Sequence, residues 1–400
     1  MEARTSSHKY AAHWYDDQGR VDIKNFSLTE LEDWLADTLE EPPRRALQLY
    51  KYLWQEGTKS FFEMPRINKK LQKTLDSVAC IGFLRPEMVL RSKDSTTKFL
   101  WRLNDGLLIE SVLIPDGERL TLCMSSQVGC AMACTFCLTG DLGLKRHLTP
   151  GEIANQALQV SSQVAELGAR ITNLVFMGMG EPLHNLPSLL IALNNCLHDN
   201  ALNFSHRRVT VSTVGLVPKM AELAAHLPVN LAVSINATTE EQRLAIMPVT
   251  KKYSLSELVQ ACRDFPLTHG KRITFEYVMI RGFNDTVEDA KRLFDLLEGI
   301  PYKVNLIPYN ENPDREIRTP ESETVKRFQH HFVSQGRHCS IRTTRGTDIS
   351  AACGQLGKAA EQARDRGWLA GAHRVAGSFE VKSAGVGHPT GASPAGKLLT

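Results

Sequence analysis

No run of apolar residues in this 400-residue chain is long enough to cross a bilayer, which takes about 20. The opening MEARTSSHKYAAHWYDDQGR is polar and lacks the apolar core of a secretory leader. Together these absences predict a cytoplasmic protein with no membrane partner. Charge of one sign is also scarce. Lys and Arg total 47 against 44 Asp and Glu, a net charge of +3, which neither demands nor forbids a nucleic-acid partner. An even set of cysteines is missing too. Nine occur, and an odd number without a leader argues against a disulfide framework and for reduced thiols. Paired Cys/His ligands at structural-zinc spacing are also lacking.

What is present changes character along the chain. Residues 1–21 are polar and read as a loose N-terminus. From 22 to 95 apolar residues recur at helical spacing through FSLTELEDWLADTLE, RRALQLYKYLWQEG and RINKKLQKTLDSV. Ser27 and Glu30 make a capping box, and Pro42-Pro43 parts two helices. Residues 96–118 switch to period two in KFLWRL and LLIESVLIP, with NDG and PDG turns. From 119 to 365 strands alternate with helices. Strands are predicted at RLTLCMS, which carries Cys123, and at 171–178, 208–215, 229–236, 272–280 and 303–310, with a seventh candidate at 339–346. Helical patterns fall near 150–167, 184–197, 216–226, 253–265, 286–299 and 321–336. Such alternation means a parallel sheet covered by helices. Six strand–helix units suit either an open doubly wound sheet or an incomplete barrel. Residues 370–400, rich in Gly, Ala, Ser and Pro, read as a disordered tail.

Four of the nine cysteines crowd into residues 123–137. Cys130, Cys134 and Cys137 follow a strand, in the kind of loop where α/β folds place their chemistry. Structural zinc wants four closed ligands, and Cys123 on the preceding strand is the only nearby fourth. A four-iron cluster on three thiolates instead leaves one iron open, as a catalytic centre requires. Spacing alone leaves both open. Phe136 sits where it would shield the group. Cys80, Cys196 and Cys262 read as small packed residues.

CxxxCxxC after the first strand of a six-unit chain resembles the radical S-adenosylmethionine (radical SAM) superfamily, and GMGEP (178–182) resembles its cofactor-binding turn. SSQVGCAMACTFC, GMGEP, RRVTVSTVG, VNLIPYN and TTRGTDISAACGQL, in this order, are similar to the RNA adenine C2-methyltransferases, the dual-specificity 23S rRNA and tRNA enzymes of that superfamily. The likeness runs from about residue 25 to 360. It implies an α/β fold, an incomplete (β/α)6 barrel with a small N-terminal all-helical RNA-binding domain and a short β extension.

The resemblance also implies one [4Fe-4S] cluster on Cys130, Cys134 and Cys137, and two S-adenosylmethionine molecules per turnover. One molecule methylates Cys353. The second is cleaved to a radical that activates the S-methyl group for attack on adenine C2. Cys123 then resolves the protein–RNA adduct with a disulfide, and Glu110 is the implied proton acceptor. Cofactor contacts carry over to Gly180, Glu181, Ser212, Ser234, Ile235, Asn236 and Asn310. Asn236 replaces a His found in some members, and Thr347 interrupts an acidic pair of which Asp348 remains. The implied partners are 23S rRNA, tRNA and an external, flavodoxin-like reductant; a monomer is the default expectation. Basic pairs at 145–146, 207–208 and 251–252, with RINKK (66–70), are candidate phosphate contacts. The rival readings are the sister C8-adenine methyltransferases of ribosomes, which TTRGTDI disfavours, and a zinc-stabilised RNA-binding protein, which leaves Cys353 and GMGEP unexplained.

Overall fold

The computed structural model describes residues 14–268, 270–312 and 315–357. Most of the N-terminal stretch (1–13), the last part of the predicted core (358–365) and the predicted tail (370–400) lie outside the described residues. Trp14 to Arg20 are ordered: Trp14 meets Phe26 edge-on at 6.0 Å, and Tyr15 bridges Val21.

Three helices follow, α1 (Leu28–Leu39), α2 (Pro43–Trp54) and α3 (Lys69–Val78). Ser27 and Glu30 form the expected capping box, and Pro43 takes the first turn of α2, where its missing N–H costs no hydrogen bond.

A 10-stranded sheet comes next. Its strands are β1 (Arg85–Arg91), β2 (Thr97–Arg102), β3 (Leu108–Asp116), β4 (Arg119–Cys123), β5 (Asn173–Phe176), β6 (Val209–Thr213), β7 (Asn230–Ser234), β8 (Ile273–Met279), β9 (Tyr302–Pro308) and β10 (Cys339–Ile341). Spatial order equals chain order throughout. β1 to β4 pair antiparallel, and β4 to β10 pair parallel. The two outermost strands do not pair with each other, so the curved sheet stays open, as an incomplete barrel must.

Between the parallel strands run α4 (Pro150–Ala165), α5 (Leu186–Leu197), α6 (Val217–His226), α7 (Glu240–Ile246), α8 (Leu255–Asp264), α9 (Val287–Leu296) and α10 (Ser322–Val333). Buried Val209 and Val211, Leu231 and Val233, Phe275 and Tyr277 make the sheet's side of one continuous core. That core also takes in the N-terminal helices. Tyr50 donates to Asn195 Oδ1 at 2.7 Å, and the fully buried Lys24 donates to Asn155 Oδ1 at 3.0 Å.

Three features differ from the sequence reading. Residues 85–91, assigned to the helical unit, are strand β1. Most of its residues are exposed or half-exposed and Pro86 bulges its register, so the period-two signal is weak. Helix α7 was not foreseen, because seven residues make too short a window for a 3.6-residue period. The stretch DISAACGQL (348–356), whose composition suits a helical start, instead continues from a 3-10 turn (Thr347–Ile349) into loops, with Ser350 at φ 50° and Gly354 at φ 81°.

Candidate active site

The carboxyl ends of the parallel strands surround a cleft of about 1000 Å³, partly open to solvent. Cys130, Cys134 and Cys137, from the loop after β4, line it with Phe136. All three are free thiols. Burial pushes Cys130 up to about 12 and raises Cys134 and Cys137 as well. Among the described residues no three Cys, His, Asp or Glu side chains converge on a single ion position. A four-iron cube binds its thiolates at separate corners rather than on one ion. The donor set fits such a cluster, with three soft ligands in one loop and an open cleft in front of them.

GMGEP follows β5. Gly180 has φ 100°, and a Cβ there would lie 2.5 Å from Gln127 Cβ, so only glycine passes. Glu181 is buried, its Oε1 accepting from Leu183 N at 3.1 Å and its Oε2 from Val214 N at 2.8 Å. Burial nevertheless raises its carboxyl to about 7, so a cationic ligand group would be welcome beside it. Ser212, Ser234, Asn236 and Asn310 line the same cleft from the ends of β6, β7 and β9. Ile235 does not: it is fully buried, and its N–H donates to Glu276 O at 3.1 Å. Asn236 sits at φ 55°, a left-handed conformation that Asn tolerates. Its carboxamide oxygen is already taken by Val278 N at 2.8 Å.

Cys353 enters the cleft from the far end of the chain. Asn310 Nδ2 donates to its carbonyl at 2.9 Å, and Leu138 N, next to Cys137, donates to Gly354 O at 2.8 Å. Cys123 ends β4, is 6% exposed and does not line the cleft wall. Burial, and then Cys353 nearby, push its thiol up to about 12, while Arg342 opposes the rise. The two extra cysteines thus lie within electrostatic reach of one another.

Glu110 lies behind the cleft, fully buried on β3, with Lys98 Nζ at 3.2 Å. Its Oε1 accepts from Gly357 N at 3.2 Å, and Lys98 also donates to Ser350 O at 3.1 Å. The pair therefore holds the Cys353 segment from both sides. Sequence reasoning missed Lys98, Arg342 and Glu276. Glu276 and Arg342 line the cleft. The available signal was a charged residue within an apolar strand, as in RITFEYVMI.

The basic pairs separate by position. Arg146 is committed to Glu152 at 2.7 Å and Asp105 at 2.6 Å and is no free phosphate contact. Arg207 and Arg208 precede β6, at the amino ends of the strands and away from the cleft. Lys251 and Lys252 are exposed, and Lys252 acts electrostatically on His184, beside GMGEP.

Fold and site together define a radical S-adenosylmethionine enzyme, and residues 124–297 match the Radical SAM superfamily. Residues 21–81 match the ribosomal RNA large subunit methyltransferase N-terminal domain. A radical SAM methyltransferase from Sphaerobacter thermophilus superposes with a TM-score of 0.79 at 38% identity, over 84% of this chain and 99% of that one. The chain belongs to the RlmN family of dual-specificity RNA methyltransferases. It is 51% identical to the RlmN of Geobacter sulfurreducens over 84% of this chain and 92% of that protein. It is 49% identical to that of Anaeromyxobacter sp. (strain Fw109-5) over 84% of this chain and 90% of the relative. A [4Fe-4S] cluster and S-adenosylmethionine are inherent to that superfamily. No helix among the described residues is long and apolar enough to cross a membrane.

Proposed function

We propose that this enzyme methylates C2 of adenosine in 23S rRNA and tRNA, in the cytoplasm and as a monomer, with Cys353 as the carrier of the methyl group. The observation that carries the reading is Cys353 in a cleft lined by Cys130, Cys134 and Cys137, with Cys123 buried behind its wall and within electrostatic reach of Cys353. A non-catalytic RNA-binding protein has no use for that convergence.

Adenine C2 is electron-poor and offers no nucleophile to a methyl cation equivalent, so the methyl group must first be parked on a protein atom. Cys353 Sγ takes it in a displacement. A carbon–sulfur bond forms at Cys353, one breaks at the donor sulfonium, and the thiol proton leaves. Cys130, Cys134 and Cys137 would hold the cluster. When bound, it supplies the electron that generates a hydrogen-abstracting radical from a second S-adenosylmethionine. Gly180 and Glu181 would hold the methionine end of that cofactor, and Ser212, Ser234, Asn236 and Asn310 its nucleoside end.

After carbon–carbon bond formation RNA is joined to Cys353. The adduct then gives up one electron, which returns to the oxidised cluster, and the C2 proton, for which Glu110, with Lys98 as its countercharge, and Cys123 are the candidate acceptors. Cys123, as thiolate, then attacks Cys353 Sγ and the sulfur–carbon bond breaks. The released carbon takes up a proton to become the methyl group, and the methylated RNA leaves behind a Cys123–Cys353 disulfide. The external electron donor is flavodoxin-like, and two electrons with two protons from an external reductant restore both thiols. Lys251 and Lys252 at the cleft mouth, with the N-terminal helices, receive the RNA phosphates. The target base must be drawn out of its fold to reach the cleft.

The test is mass spectrometry of protein expressed with iron and sulfide. One added methyl on Cys353 is expected, and in Cys123→Ala an RNA-linked Cys353 peptide should accumulate. Nucleoside analysis of the treated RNA should show 2-methyladenosine. Finding 8-methyladenosine would move the protein to the sister activity, and an unmodified Cys353 in cluster-loaded, active enzyme would refute the relay.

A further inference from the structure

Arg243, on α7, is fully buried and does not line the cleft. Its guanidinium donates to Thr250 Oγ1 at 2.8 Å and to Val214 O at 2.5 Å, and its Nε has no hydrogen-bond partner. No carboxylate pairs with it among the described residues; of the two acids on the same helix, Glu241 is exposed and Glu240 accepts instead from Leu255 N at 2.7 Å and Ser256 N at 3.3 Å. A buried cation without a counterion is costly, and its removal or neutralisation would ordinarily be favoured.

The chain places this cation behind the cysteine loop. Val214, which accepts from Arg243, packs against the small apolar cluster that contains Cys134. Thr135 N, next to Cys134, donates to Ile246 O at the end of α7 at 3.0 Å. Burial lowers the guanidinium to about 10, and Cys134 is the largest influence holding it up. The Thr135–Ile246 hydrogen bond and the Val214 contact set the cysteine loop against the side of this cation that has no carboxylate.

We propose that Arg243 is the buried countercharge of the iron–sulfur cluster, stabilising its reduced form across the wall of the cleft without touching cluster or cofactor. A four-iron core with three thiolates is already net negative at rest, and reduction adds one electron more. A fixed cation nearby favours the reduced state and raises the potential. Arg243 is thus a positioning residue for electron transfer. The proposal rests on the assignment of Cys130, Cys134 and Cys137 as ligands.

The measurement is the midpoint potential of the reconstituted cluster, followed by its electron paramagnetic resonance signal, in the full chain. Arg243→Gln should lower it, leaving about tenfold less reduced cluster at a fixed potential, about 59 mV for one electron. Arg243→Lys should restore most of the loss. Where Arg243→Gln fails to fold, Thr250→Asp sets a carboxylate beside the retained guanidinium and should lower the potential likewise, with Thr250→Asn as the neutral control. An unchanged potential in Arg243→Gln, or in Thr250→Asp, overturns the proposal. A wild-type chain that takes up no brown cluster, or a Cys134→Ala chain that still does, overturns instead the ligand assignment beneath it.

Discussion

Gly180 shows how one residue controls a ligand site through what it lacks. The backbone there stands at φ 100°, with Gln127 filling the space a side chain would need. Gln127 in turn accepts from Glu181 N at 2.8 Å through Oε1, so the same contact sets the acidic residue in place. Gly180→Ala adds about 1–3 kcal/mol of backbone strain and pushes Gln127 away. The expected outcome is a loss of S-adenosylmethionine binding of tenfold or more, by calorimetry on cluster-loaded protein, with the cluster's absorption spectrum retained. Equal affinity in the variant would mean that the cofactor does not use this turn. Cys353 illustrates the opposite case, a residue whose surroundings were invisible locally. Its partners Asn310, Cys123 and Arg342 come from three other strand ends.

Among the elements, the β extension holds the catalytic-cysteine segment in place. Asp348 accepts from Ser92 Oγ at 2.6 Å and Lys93 N at 3.2 Å, and Asp94 accepts from Gly346 N at 2.9 Å. These bonds fix a segment that has almost no regular structure of its own. The helical unit is joined to the barrel by a different device, the buried Lys24, whose ammonium lies 5.4 Å from the Trp54 ring centre. Burial lowers Lys24 to about 8 from 10.5, outweighing the opposing pull of Asp22. Below about pH 8 both folded and unfolded chains carry the proton, and burial of the charge costs about 3 kcal/mol. Between about 8 and 10.5 only the unfolded chain binds it, so this contribution to stability improves as pH rises. Urea midpoints should therefore rise more steeply over that window in the wild type than in Lys24→Met. Parallel curves would show that Lys24 does not titrate on unfolding.

At the scale of the molecule, the parallel strands give the protein a chemical end and an opposite end. The cleft opens at their carboxyl ends, with Lys251 and Lys252 on that side and Arg207 and Arg208 on the other. Replacing both lysines with alanine should weaken RNA binding and lower the salt slope by about 2, one per phosphate contact. The same change at Arg207 and Arg208 should leave both unaltered. Filter binding across a salt series decides it, and an effect confined to the arginine pair would place the RNA on the opposite end.

The sequence by itself determined the class of this protein. Period-two and 3.6-residue patterning located the strands of the large sheet from β2 onward and its longer helices, because those elements bury one repeating face, but missed α7 and the one-turn helix Leu138–Asp141. The thiol spacing and GMGEP are contiguous, so the ligand loop and the cofactor turn were legible without coordinates. Only the tertiary structure decided what distant segments do to one another. It put Glu110 in an ion pair with Lys98 behind the cleft, committed Arg146 to carboxylates, and turned the 348–356 stretch into a loop with left-handed residues. It also set an unpaired Arg243 behind the thiols. Electrostatic partnership and burial depend on which side chains meet across the core, and that is a property of strand order and register, which no local pattern of residues encodes.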